Sequence, residues 1–282
     1  MIQDNSRGYR VFRVANGLLL SLLTFAAFYP MYFVVIASFS DGNELVKNVG
    51  ALWAPLKPYT VDAYERVFAN RNIATGYQNT LFVLAVGVPL NVILTTMGAY
   101  FLSLKNMRMG GVIMFLILFT RYFSGGMVPS FLLIRSLDLM NTRWSVILSC
   151  LLSTYYVVLV TNFIRSLPGS LLESARLDGA SEATILVRIV LPLSKPILAT
   201  ITVMNMISLY GDFIWPLLVI DSNSIQVISV AVQTYSSSTQ GSTANYGAMI
   251  AGFVMATIPL LVMFLFSSRL YIEGITSGAV KA

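Results

Sequence analysis

The sequence predicts an all-α membrane protein that crosses the bilayer six times. Three observations predict it. Of the 282 residues, 56% are hydrophobic and only 11% are charged, against about 25% charged in an average soluble domain. Six windows are long and apolar enough to cover about 30 Å of hydrocarbon, which takes about 20 helical residues. No window alternates apolar and polar residues as the strands of a β-barrel would. A soluble core of this size could not hide so much apolar surface, and a disordered chain would carry far more charge.

The six spans fall at residues 14–38, 79–104, 111–134, 144–164, 197–220 and 246–270 of a single transmembrane domain covering 1–282. The first apolar stretch exceeds the core of about 7–15 residues typical of a secretory signal and is read as a retained helix. The third and fifth windows contain helix breakers. With the N-terminus placed inside, eleven of the 18 Lys and Arg residues lie on the cytoplasmic side, among them Arg7, Arg10, Arg13, Lys105, Arg108, Arg165, Arg176 and Arg188. Six lie outside, and Arg121 falls within a span. The positive-inside bias therefore puts both termini in the cytoplasm. It also accounts for the net charge of +6 without a nucleic-acid partner. The setting is a bilayer, which the chain crosses as a multi-pass protein.

Between the spans, residues 39–78 form an outer segment with Trp53, Pro55, Pro58 and Tyr59, expected to fold over the membrane surface. Residues 105–110 form a tight inner hairpin. Residues 221–245 form a polar outer loop rich in Ser, Thr, Gln and Asn.

Little covalent chemistry is available. There is no histidine, which removes Ser-His-Asp triads, Cys-His pairs and H-E-x-x-H zinc sites. Cys150 is alone, so it forms neither an internal disulfide nor a C-x-x-C site. Asp212 is the one acid in a predicted span, so an intramembrane aspartyl pair is lacking. No G-x-x-x-x-G-K-[ST] loop is present to cradle ATP phosphates. The chain reads as non-catalytic, without a metal site or a bound cofactor of its own.

The inner loop 165–196 is the most informative stretch. Pro168 and Gly169 end one helix. Ser170 has Glu173 three residues on, a capping-box spacing, and Leu171, Leu172, Ala175 and Leu177 make the helix that follows amphipathic. Gly179 allows a sharp turn, Ser181 can cap a second helix carrying Ile185, Leu186 and Ile189, and Pro192 closes it. Two short helices at an angle on the cytoplasmic face follow. Such a loop could lie on lipid headgroups.

The order Glu173-Ser174-Ala175, Asp178-Gly179-Ala180 and Ile189-Val190-Leu191-Pro192 resembles the EAA loop of permease subunits in bacterial ATP-binding-cassette importers, with Ser174 for the usual Ala and Leu186 for a common aromatic. Leu137-Asp138-Leu139-Met140-Asn141-Thr142 before Trp144 resembles the L-G-L-x-N-T segment of the carbohydrate-uptake branch, whose familiar member is the maltose importer's smaller permease. Tyr210 to Leu217 resembles its W-N-x-F-x-x-P-L segment, with Tyr210-Gly211 for Trp-Asn. Phe123 to Pro129 resembles the F-S-G-G-x-x-P run of permeases for polysaccharide fragments, alginate importers included. The resemblance implies coupling helices between spans four and five, with Glu173, Ala175, Asp178, Gly179, Ala180 and Pro192 serving ATPase coupling. It implies a second homologous permease, two ATP-binding subunits that hold ATP and Mg2+, an extracytoplasmic solute-binding protein and an oligosaccharide substrate. An importer for another solute, or an ion-coupled secondary transporter, is the alternative; the paired broken helices that would mark the latter are not apparent in the sequence.

Candidate substrate contacts are aromatic and amide side chains in or near spans: Tyr122, Tyr155, Tyr156, Asn162, Asn205, Tyr210, Asp212 and Trp215. For each aromatic, packing or interface anchoring is the simpler role. Asn205 and Asp212 are seven residues apart, which puts them on one face of an unbroken span five. Arg121 lies near the membrane centre, where it costs about 2.5–3.5 kcal/mol on insertion scales. Either it is paired structurally, with Asp212 or with carbonyls freed at Ser124-Gly125-Gly126, or its fork meets a uronate-type sugar. By its position, the stretch Gln233–Asn245 resembles the loop that enters the binding protein in the maltose importer.

Overall fold

The computed structural model describes residues 7–48, 50–104, 107, 109–238 and 244–279. Among them the regular structure is helical, and the one extended pairing is an isolated antiparallel bridge between Ser40 and Tyr59. The chain forms two compact units, one of residues up to Asn70 with Val232–Thr257, the other of Arg71–Ala231 with residues from Ile258 on.

In chain order the helices are α1 (Arg7–Ala37), α2 (Gly42–Lys47), α3 (Asp62–Ala69), α4 (Arg71–Ser103), α5 (Gly110–Tyr122), α6 (Met127–Ser136), α7 (Arg143–Ser149), α8 (Thr154–Arg165), α9 (Gly169–Leu177) and α10 (Glu182–Ile185). A π-helical turn at Leu186–Val190 leads into α11 (Leu191–Leu193), then α12 (Lys195–Gly211), α13 (Ile214–Val219), α14 (Ile228–Ser238) and α15 (Ala244–Ala279). The segments Gly8–Ala37, Arg71–Ser103 and Tyr246–Leu265 are each long and apolar enough to cross a membrane.

In the first unit the outer segment folds against α1. Trp53 stacks on Phe25 at 6.0 Å and tilts over Tyr29 at 5.1 Å, while the Tyr32 hydroxyl donates to the Trp53 carbonyl at 2.8 Å. Asp41 caps α2 by accepting from the Asn43 and Glu44 amides. Ile36, Ala37, Leu45, Leu52 and Ile250 close a small buried cluster. Among the described residues, these contacts hold 40–48 and 50–60 without any regular strand.

In the second unit several predicted spans depart from straight helices. α4 begins at Arg71, ahead of the apolar window, because the polar residues before Asn79 continue the helix. The third window is broken: α5 and α6 meet at 110° around Phe123–Gly126, where Gly126 has φ +86°. That left-handed conformation is inexpensive for glycine alone. The fourth window bends by 47° between α7 and α8, and the Asn91 amide of α4 donates to the freed Cys150 carbonyl at 2.7 Å. In the fifth window α12 ends at Gly211, Asp212 is extended, and α13 follows from Ile214. Asn205 and Asp212 therefore do not share a helical face. The breaks in the third and fifth windows fall where the sequence carries helix breakers, while the bend in the fourth was not apparent in it. The predicted outer loop is in part helical, since Ile228, Val230, Ala231 and Val232 are buried and fold as the start of α14. Lys105, Arg108 and residues 239–243 of the stretch Gln233–Asn245 lie outside the described residues.

Candidate functional site

The inner loop folds as two short helices about a turn, and its backbone explains the motif residue by residue. α9 ends in a Schellman motif. The Ala180 amide bonds to the Ala175 carbonyl at 3.0 Å and the Gly179 amide to the Arg176 carbonyl at 3.1 Å. Gly179 has φ +79°, the left-handed position this cap requires. Ala175 and Ala180 flank the turn, and both pack against the buried cluster of Tyr100, Tyr156, Val160, Ile164, Ile185 and Ile201 with which Leu172 also packs. Ser181 then caps α10, its hydroxyl accepting from the Thr184 amide at 3.3 Å. Glu173, Asp178 and Gly179 remain on the outside, together with Leu171 and Leu177, the latter 88% exposed.

Two local readings are corrected. Ser170 does not cap α9: the helix starts at Gly169 with Pro168 before it, and Ser170 already lies inside the first turn. Pro192 does not close the second helix either. It sits in α11 just after the π-helical turn, where the Leu191 amide reaches back five residues to the Leu186 carbonyl. Proline has no amide hydrogen to offer and crowds the carbonyl four residues back. The wider π turn occurs directly before it. The break comes at Ser194, where Glu182–Leu193 and α12 meet at 78°.

The loop is tied to α4 by polar bonds that sequence reasoning missed. The Tyr100 hydroxyl donates to the Glu182 carboxylate, which also accepts from Arg176 Nε at 2.9 Å and Nη2 at 3.4 Å. Arg165 Nη2 donates to the Leu102 carbonyl at 2.8 Å. The Arg176 guanidinium first, and the Tyr100 hydroxyl second, hold the Glu182 carboxyl below the ordinary glutamate range.

The substrate candidates separate into two groups. Tyr156 and Tyr210 are buried. Trp215 donates from Nε1 to the Ser145 carbonyl at 3.0 Å, tying α13 to α7. Asp212 accepts from the Trp215 amide at 3.4 Å, and its carbonyl accepts from the Ser229 hydroxyl at 2.8 Å. Asn205 is buried with Nδ2 lacking a partner among the described residues. The second group is exposed on this chain. Arg121 and Tyr122, the latter 80% exposed, end α5. Tyr155 and Asn162 lie seven residues apart on the exposed side of α8. The two helices touch here, Thr154 Oγ1 lying 3.4 Å from the Ile117 carbonyl and 3.5 Å from Thr120 Oγ1. Arg121 makes no ion pair with Asp212 and no hydrogen bond to the 124–126 backbone; its guanidinium has no partner among the described residues.

A polar cluster at the other end of α4 was also invisible in the sequence. Asn79, 2% exposed, donates to the Ser224 and Gln226 carbonyls at 3.0 Å each and accepts from Arg143 Nε at 2.9 Å. Thr80 accepts from the Ile228 amide at 2.8 Å. The Arg143 guanidinium also lies over the Phe82 ring at 5.0 Å. Beside it, the Leu137–Thr142 motif acquires a geometry. Asp138 and Asn141 both adopt left-handed backbone, φ +55° and +56°. The Asn141 side chain accepts from the Asp221 and Ser222 amides at 3.2 and 2.9 Å, and Thr142 caps α7. The only signal in the sequence was the motif itself.

The comparisons with known proteins converge on this arrangement. The profile of the family described as "Binding-protein-dependent transport system inner membrane component" matches residues 7–271. The chain belongs to that family. Among its binding-protein-dependent relatives, the Bacillus subtilis polygalacturonan/rhamnogalacturonan transport system permease protein YtcP is 31% identical over 89% of this chain and 92% of its own. Protein LplC of the same organism is 30% identical over 98% and 97%. A solved bacterial ABC transporter involved in the import of the acidic polysaccharide alginate superposes with a TM-score of 0.86 at 28% identity, covering 95% of this chain and 99% of that one. This chain is thus a multi-pass inner-membrane component of a transport system, and the loop 165–196 is part of a permease.

Proposed function

We propose that this permease forms one half of the pathway of an ATP-driven importer for acidic oligosaccharides. In this reading the chain is one transmembrane domain with six crossings and both termini in the cytoplasm, the bent helices counted as spans. A second permease completes the pathway, two ATPase subunits hold ATP and Mg2+, and an extracytoplasmic binding protein delivers the sugar. The observation that carries the reading is the α9–Gly179–α10 corner. Its small residues and Leu172 face the core, while Glu173, Asp178, Leu171 and Leu177 are turned outward. An outward apolar ridge with carboxylates beside it suits a protein cleft better than a lipid headgroup layer, which would favour Lys and Arg. Glu173→Lys is expected to release the ATPase subunits on purification or to abolish uptake; a fully active complex would reject the docking role.

The acidic character of the substrate rests on Arg121. An unpaired guanidinium at mid-membrane depth needs a counter-charge, and a uronate carboxylate fits its fork. The ring faces of Tyr122 and Tyr155 stand nearby in sequence from the Thr120–Thr154 contact. The named cargoes of two relatives, polygalacturonan and alginate, support the same chemistry. Arg121→Met is expected to lose uptake of oligogalacturonates while keeping neutral oligosaccharides, and normal uptake of both would reject the role. The outer stretch Gln233–Asn245 is proposed to reach the binding protein. Deleting Ser236–Gly241 is then expected to uncouple uptake from ATP hydrolysis.

A further inference from the structure

α4 differs from the three broken stretches that follow it. It is one continuous helix of 33 residues, Pro89 included, whereas α5/α6, α7/α8 and Glu182–Leu193/α12 bend by 110°, 47° and 78°. Among the described residues, its polar bonds to other elements are grouped at two levels near its ends, with Asn91 between. Near the inner end Tyr100 is bonded to Glu182, itself held by Arg176, and the Leu102 carbonyl is bonded to Arg165. Near the outer end Asn79 joins the Ser224 and Gln226 carbonyls and Arg143, and Thr80 holds the Ile228 amide. Asn91, between them, holds the Cys150 carbonyl at the bend of the fourth stretch. Asn79 and Tyr100 are about 32 Å apart along the axis, at about 1.5 Å per residue.

The segments held at the two ends are the cytoplasmic helix pair and the base of the outer loop. We propose that α4 is the strut that carries displacement of the cytoplasmic helix pair to the outer loop, with Tyr100–Glu182 as its inner latch and Asn79–Arg143 as its outer latch. The proposal rests on the docking reading of α9. Three physical points support it. An unbroken helix transmits an axial or tilting displacement, while a bent one absorbs it at the bend. The covalent route from α9 toward α12 passes through the π-helical turn and the bend at Ser194. Apolar contact is non-directional and lets surfaces slide, whereas the directional hydrogen bonds at each latch resist both pushing and pulling.

The test uses the whole complex, with its partner permease and ATPases, and ATP plus vanadate as the probe. A spin label is placed on the exposed position 223, as Asn223→Cys in a chain carrying Cys150→Ser, and its mobility is read before and after vanadate trapping. The native pairings are expected to give a clear change at 223. Tyr100→Phe and Arg143→Gln are each expected to shrink that change about tenfold, the weight of a lost hydrogen bond to a charged group, while trapping the same amount of nucleotide. Combining them is expected to shrink it no further, because the latches act in series; independent sites this far apart would add. An undiminished change in both variants, or additive loss in the double variant, overturns the strut. No change in the native complex overturns it too. If either variant fails to assemble, Glu182→Gln and Thr80→Val probe the same latches. ATPase subunits lost from Glu173→Lys but retained in the latch variants show that docking stands even if the strut fails; retained in all, they remove the docking reading itself.

Discussion

The inner loop and the outer cluster of the second unit hold the same helix, α4, by different means. The inner corner is made largely by backbone: a Schellman cap at Gly179, a hydroxyl cap at Ser181 and alanines facing the core, all within a dozen residues. Among the described residues, only the Tyr100 and Arg165 bonds come from a distance. The outer cluster is made by side chains reaching carbonyls and amides far along the chain, such as Asn79 to Gln226, 147 residues away. A corner built from local geometry is tolerant of its surroundings and can present a surface to a partner. A corner built from long-range bonds is conditional on the whole unit being assembled.

That difference can be broken at its strongest point first. Asn79→Ala removes three bonds at a buried site and leaves two carbonyls and Arg143 without that partner. A loss of about 3 kcal/mol is expected, read as a lowered unfolding temperature in detergent. An unchanged temperature would mean that the cluster adjusts as freely as the inner corner. Gly179→Ala comes next, at about 1–2 kcal/mol for a left-handed alanine. Its effect should appear as weakened retention of the ATPase subunits, with the outer cluster, followed by accessibility of a label at position 223, undisturbed. Ser181→Ala should cost about 1 kcal/mol of local helix stability, visible as faster amide exchange at Thr184.

The smallest expected effect is on pH. The Glu182 carboxyl is held below its ordinary range by Arg176 and Tyr100, so the folded carboxyl takes up its proton at lower pH than the unfolded one. The stability this adds is therefore complete above the ordinary glutamate value of about 4.3 and is lost as pH falls through the lowered folded value. Because the group is half-exposed, the contribution is modest. Unfolding temperature should be flat from neutral pH to about 5 as far as this group is concerned, and Glu182→Gln should remove the acid-side decline that the native chain adds below it. A decline beginning near neutrality would point to another group.

How much was legible follows the same division. Gly179, Ser181 and the paired short helices could be read because turns and caps depend on residues a few places apart. Span existence could be read because it depends on composition over about 20 residues. Ser170 was misread because a capping box says which residue could cap, not which one begins the helix; Pro168–Gly169 set the start two residues earlier. Pro192 was misread because a preceding π turn has no composition signature. Asn205 and Asp212 were placed on one face because spacing assumes a continuous helix, and α12 ends between them. Of the polar residues, Arg121 stood out by its depth in the membrane, but nothing in the sequence marked Asn79, Tyr100 or Glu182. Their significance lies in which carbonyl or carboxylate they meet.

The sequence by itself determined a helical membrane protein with a two-helix corner of defined chirality, because hydropathy, glycine conformation and capping act over short range. The tertiary structure decided where the spans bend, which carbonyls freed by bending find a donor, and which polar residues bind α4 at its two ends. Those outcomes depend on groups far apart in the chain, where a polar side chain surrounded by apolar ones must find its partner inside the protein.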